Sequence, residues 1–98
     1  MIVTTTPEIA GKTIVEYKGL VFGEVIGKTE AVWKNSYSGD HENLMKILKQ
    51  RSLNKLIEQA EESNANAIIG ISINHNYHIM GGGTYITFSA TGTAVAVE

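Results

Sequence analysis

The chain has 98 residues, 43% of them hydrophobic and 18% charged, with a formal net charge of −2. That length suits one domain, residues 1–98, and the balance excludes a disordered chain and gives no basic signature for duplex nucleic acid. There is no cysteine, which excludes disulfides, thiol nucleophiles, zinc knuckles and iron–sulfur sites. Any metal must then use His, carboxylate or amide ligands. Surface scaling gives about 5,500 Å² for the folded chain against about 15,000 Å² for the open one. A monomer of this size builds a thin core, and association would help it. No apolar run approaches the ~20 residues of a membrane span. The start, Met1-Ile2-Val3-Thr4-Thr5-Thr6, lacks the basic and apolar regions of a signal peptide. These features point to the cytoplasm.

Ile2 to Thr6 is short and β-branched, and Pro7 stops it. Proline cannot donate to a ladder, so this reads as a short edge strand. Thr13 to Ile26 alternates with period two. Val15, Tyr17, Val21 and Val25 share one face with Gly19 and Gly23. Ile14, Glu16, Lys18, Leu20, Phe22 and Glu24 share the other. Fourteen residues at ~3.3 Å each span about 46 Å, long for one flat strand, so the glycines mark bends, bulges or close helix approach. Leu20 and Phe22 among charges suggest a face covered by another chain.

Gly27 to Gly39 reads as a loop carrying Trp33 and Tyr37. Trp33 either caps the core edge or sits at a subunit interface. Asp40 to about Ser63 reads as one long helix, with Asp40 as N-cap and Asn64 as a left-handed stop. Leu53, Leu56, Ile57 and Ala60 have helical spacing, whereas Leu44, Ile47 and Leu48 lie on a partly different side. That spread suggests packing on a second surface, such as a neighbouring subunit.

Asn66 to Asn74 reads as a buried strand with Ala67, Ile69, Ile71 and Ile73 on one face and Gly70 opposite. Asn74 to Gly83 reads as a hairpin loop. Tyr85 to Val97 reads as a strand with Ile86, Phe88, Ala90, Gly92, Ala94 and Ala96 on one face and a Thr/Ser row on the other. The order β-β-α-β-β predicts an α+β fold. The last strand lies between the two other long strands, antiparallel to both, and the helix covers one face.

The Thr4-Thr5 pair, the run Gly11 to Ile26 (G-x-x-I-V-E-Y-x-G-x-V-x-G-E-V-I), Ala65 to Ile71 (A-N-A-I-I-G-I) and Ser89 to Val95 (S-A-T-G-T-A-V) together resemble the YbjQ-like family, labelled a "putative heavy-metal-binding domain". The resemblance covers nearly the whole chain. It implies a dodecin-like two-layer subunit, an antiparallel sheet wrapped on one long helix, and a symmetric ring, typically a homopentamer. It also implies metal binding. The matching residues are mostly Gly, Ala and aliphatic, which are fold determinants and not ligands. The chain departs from the family in a shorter segment before the helix, in Asn64 where a glycine is common, and in its hairpin loop.

That loop holds His75 and His78. Neutral imidazoles suit Zn²⁺, Ni²⁺ or Cu²⁺. The spacing shares a face on a helix and not on a strand. A divalent metal would need a third ligand, such as His41, a carboxylate or a symmetry mate; otherwise both rings are exposed loop residues. Gly81-Gly82-Gly83 either offers N–H groups to an anion or is a hairpin tip. Asp40 beside His41 is a cap and no dyad, since adjacent helical residues do not face each other. No serine elbow or paired carboxylates appear, so no enzyme is expected. Lys18, Lys46, Lys49 and Arg51 are scattered charge in one chain and a repeated patch in a ring. The expectation is a non-enzymatic homo-oligomer binding a small ligand at its interfaces. A divalent metal on His75, His78 and His41 comes first. The alternative is a nucleotide-like or other small anionic metabolite on Lys18, Trp33, Tyr77, Gly81, Gly82, Gly83 and Tyr85. A purely structural assembly module is the third reading.

Overall fold

The computed structural model describes residues 1–28, 38–81 and 83–98. In chain order the elements are β1 (Ile2–Val3), β2 (Ile14–Lys28), α1 (Ser38–Glu62), β3 (Ala67–Met80) and β4 (Gly83–Val97). They form an α+β fold: one four-stranded sheet in the order β1-β3-β4-β2, with the helix on one face. β4 runs antiparallel to both β2 and β3. β1 pairs parallel with β3, so the sheet is mixed and not wholly antiparallel. Trp33 and Tyr37 lie outside the described residues.

The helix starts two residues earlier than its sequence signal, at Ser38, so Asp40 is a helical residue and not the cap. Its stop is as expected: Asn64 adopts φ 63°, a conformation that asparagine tolerates better than most residues. Leu48, Ser52, Leu56 and Ala60 recur every four residues and are fully or almost fully buried. This stripe lies along β2. A Cβ built on Gly23 would stand 2.6 Å from both the Ser52 carbonyl and the Lys55 Cβ. One built on Gly27 would meet the Leu48 side chain. Glycine at both positions lets the helix approach the strand backbone directly.

Helix side chains also occupy the outer edge of β2. The Phe22 N–H donates to Gln59 Oε1 at 3.0 Å, and Gln59 Nε2 donates to the Phe22 carbonyl at 2.6 Å. Lys55 Nζ donates to the Glu24 carbonyl at 2.9 Å. Gln59 thus bonds Phe22 as a neighbouring strand would, which blunts a free edge. Asn66 does the same for the end of β4, exchanging bonds of 2.9 and 2.8 Å with Val97.

Two irregularities change the sequence reading of faces. In β3, Ile69 pairs with Thr93 but Ser72 pairs with Thr91, so one extra residue is inserted. Gly70 lies there at φ 60°, which a β-branched neighbour could not adopt cheaply. The alternation flips across it. Ala67 and Ile69 pack with Val95, Val97, Ile9 and Ile14 on one face. Ile68 and Ile71 pack under the helix with Val21, Leu56 and Ala90 on the other. The four residues 67, 69, 71 and 73 therefore do not share a face. In β2, shifts between Ile14 and Glu16 and between Tyr17 and Gly19 do the same. Tyr17 comes opposite Val95, away from Val21, which lies opposite Gly92. Leu48, Ile86 and Phe88 complete the core near the helix N-terminal half.

The chain exposes 6276 Å², more than the ~5,500 Å² that its mass predicts for a folded monomer. Its radius of gyration is 16.1 Å and its extents are 50 × 24 × 17 Å, whereas a compact monomer of this length has a radius near 13 Å, to within roughly an ångström. The subunit is a slab; among the described residues, Ile9 and Ile14 cover the far sheet face around Ala67, Ile69 and Val95, and Leu20, Phe22 and Ile26 stand exposed on the rest of it. Gly23→Ala is expected to force the helix off the strand, costing about 2 kcal/mol as overpacking does. The melting temperature should fall by roughly 8–16 °C, as read by circular dichroism.

Candidate functional site

The segment expected to be a hairpin loop is strand. β3 continues to Met80, which pairs with Gly83, so only Gly81 and Gly82 connect the strands. Gly81 takes φ 54°, as the first central residue of a two-residue hairpin requires. Gly83 is buried and already in β4. Gly82 lies outside the described residues. Gly81 opens a short connection between two long strands.

Strand geometry decides the relation between His75 and His78. His75 pairs with Phe88 and His78 with Tyr85. Residues three apart on a regular strand point to opposite faces. The His75 ring stacks on Phe88 at 5.3 Å, with 25° between planes, and Tyr77 meets it edge-on at 6.0 Å. Phe88 belongs to the buried cluster under the helix, so His75 is on the helix side and His78 on the bare side. One ion cannot be bound by both rings of one subunit. His41 lies in the first turns of α1, and its side chain is outside the described residues. Among the described residues no three His, Asp or Glu side chains gather as a metal group. The described residues of one chain do not fit a heavy-metal site.

The expected ligand set is likewise spread out. Lys18 is at the second shift in β2, opposite Val95 and Ala94, in an ion pair of 2.7 Å with Glu16. Tyr85 pairs with Lys28 and His78 near the hairpin end. Ten positions of β4 separate Tyr85 from Val95, about 33 Å at strand rise. Tyr77, Gly81 and Gly83 share the Tyr85 end. Lys18 does not reach them.

The structure instead places other residues around a groove of about 400 Å³. The helix lies over β2 and β4 and leaves the inner face of β3 partly bare, and the groove runs between them. Lys46 and Lys49 from the helix, His75 from β3 and Thr5 supply its polar side. Met45, Ile71, Ile73 and Phe88 supply its apolar side. Thr5 is held there because the N-terminal segment continues along β3: the Ile71 N–H donates to the Thr4 carbonyl at 3.1 Å and the Gly70 N–H to the Thr6 carbonyl at 2.8 Å. In the sequence Lys46 and Lys49 read as scattered charge in one chain or as part of a patch repeated in a ring, with nothing to join them to His75. The signal that could have joined them to His75 is the bulge at Gly70, which turns Ile71, Ile73 and His75 toward the helix.

Because the two histidines face opposite ways, neither His75→Ala nor His78→Ala alone should abolish whatever zinc uptake calorimetry records for the wild type. Complete loss in either single variant would show that the rings share an ion.

A family model described as "Putative heavy-metal-binding" (YbjQ) matches residues 1–98. A UPF0145 protein from Haemophilus ducreyi is 39% identical, covering 99% of each chain. One from Clostridium kluyveri is 41% identical over the full length of both. These alignments run to 106 and 108 positions, so the relatives carry residues that this chain lacks. A crystal structure of a DUF74-family protein of unknown function from Pediococcus pentosaceus superposes with a TM-score of 0.77 at 22% identity. It covers 100% of this chain and 98% of that one, and it supports the fold alone. Neither the family description nor the relatives' names state a reaction. The chain belongs to the YbjQ, or UPF0145, family.

Proposed function

We propose that this protein is a non-enzymatic, cytoplasmic subunit of a homo-oligomeric ring, a pentamer, that binds a small ligand. The observation that carries the reading is the bare sheet face. Leu20, Phe22 and Ile26 stand there 83%, 65% and 55% exposed. They lie opposite Thr93, Thr91 and Thr87, so all three project from the same side of the sheet. Burying three such side chains is worth about 1.5–3 kcal/mol each. A shallow groove of about 320 Å³ beside Leu20, Phe22 and Gly70 gives that face relief for a partner.

The two edges of the sheet differ in a way that suits a ring. Gln59 and Lys55 occupy the β2 edge. On the other side, past Ile71, no strand of the described residues lies beside β3. From Ser72 to Met80 that strand carries no Lys, Asp, Glu or Pro to discourage pairing. Head-to-tail contact between unlike surfaces closes into a ring when the rotation permits. Ile47, exposed on the helix, adds further apolar surface.

The family description supports a heavy metal as ligand. In a ring, a divalent transition metal on His75, His78 or His41 would have to draw its donors from neighbouring subunits. The groove beside the helix favours a second ligand class, a small anionic metabolite that the ring would carry or sequester. No helix of the described residues is long and apolar enough to cross a membrane.

Leu20→Glu with Phe22→Glu should place charges on the contact face and yield a folded monomer. Size-exclusion chromatography with light scattering would read a single-chain mass for the variant and a multiple of it for the wild type. A monomeric wild type would contradict the assembly.

A further inference from the structure

The groove beside α1 has a charge opposite to the one that a metal site requires. Lys46 and Lys49 are three residues apart, so both reach the same side of the helix. Among the described residues neither is in an ion pair. Among the described residues, no carboxylate lines the groove. Two ammonium groups on one rim repel a divalent cation and each other, and a bound anion relieves both.

The rest of the groove says what the anion is attached to. Its floor is apolar, made of Ile71, Ile73 and Phe88. The imidazole of His75, stacked on Phe88, extends that floor as a flat aromatic surface. Inorganic phosphate alone would leave it wet. At about 400 Å³ the groove falls in the usual range for small-molecule sites, roughly 300–1,000 Å³.

We infer that this groove binds an organic anion built on a flat ring and of nucleoside monophosphate size. Lys46 and Lys49 hold the phosphate, and the ring lies against His75 and Phe88. The Thr5 hydroxyl, on the opposite wall, hydrogen-bonds the polar linker between them. This inference rests on the ligand-binding reading above and gives it a site and a chemical class. It also moves that site from the hairpin glycines to the helix.

Calorimetric titration of the full chain with AMP, and separately with adenosine, tests it. AMP should bind, and adenosine, lacking the phosphate, should bind at least about tenfold more weakly, the loss expected for one charged contact. Lys46→Gln with Lys49→Gln should weaken AMP by a similar factor while leaving adenosine unchanged. Both lysines are exposed, so circular dichroism and oligomeric state should not change in that variant. His75→Ala should weaken AMP and adenosine together. AMP binding that is equal in the lysine variant, or no stronger than adenosine binding, overturns the groove as the site and leaves ligand binding standing. No AMP binding by the folded wild-type protein overturns the assigned ligand class. Failure of the broader reading shows elsewhere, as a wild-type monomer that retains nothing.

Discussion

The helix rests on the backbone of β2, and only glycine at 23 and 27 permits it. The backbone contact at Gly23 fixes the height of α1 above the sheet. Ser52 is the buried partner at that contact, small enough to lie flat, with its hydroxyl turned back to the Lys49 carbonyl at 2.7 Å. Leu48 and Leu56, one turn to either side, reach past it into the two core clusters. The same closeness lets Gln59 and Lys55 curl over the strand edge and bond Phe22 and Glu24.

Much of the surface follows from that placement. A helix drawn over β2 and β4 covers β3 only around Ile68 and Ile71, which leaves the groove open farther along that strand. A single helix covers a single face, which leaves Leu20, Phe22 and Ile26 bare on the other. The β2 edge is closed by the helix and the far edge of β3 is not. One contact therefore accounts for a subunit with a blocked edge, an open edge, an apolar face and a cationic groove. Such a subunit fits an assembly better than solitude, in keeping with its surface area and elongated shape.

Most of the fold was legible in the sequence because it depends on local signals. Period-two runs marked the long strands, the 53, 56, 57, 60 spacing marked the helix, and Asn64 marked its end. Gly23 was legible as a possible close approach. The faces of β3 were not, because one inserted residue at Gly70 reverses every side chain beyond it. A lone glycine in a strand warns of a bulge without proving one. The histidine pair was misplaced for a related reason. Asn74 to Gly83 looks like a loop in composition, yet Phe88 and Ile86 across the ladder hold it as strand, and strand geometry separates the two rings. The groove was hidden because its parts lie up to 83 positions apart, at Thr5 and Phe88, and meet only through the topology.

Native mass spectrometry of the purified protein, with neither ligand nor chelator added, puts the ring and its ligand to the test together. It reports the number of chains and any retained mass in one experiment. The expected species has five identical chains and carries a small organic mass where ligand survives purification. A single chain with nothing bound would contradict it, since the bare face and the open edge would then have no partner.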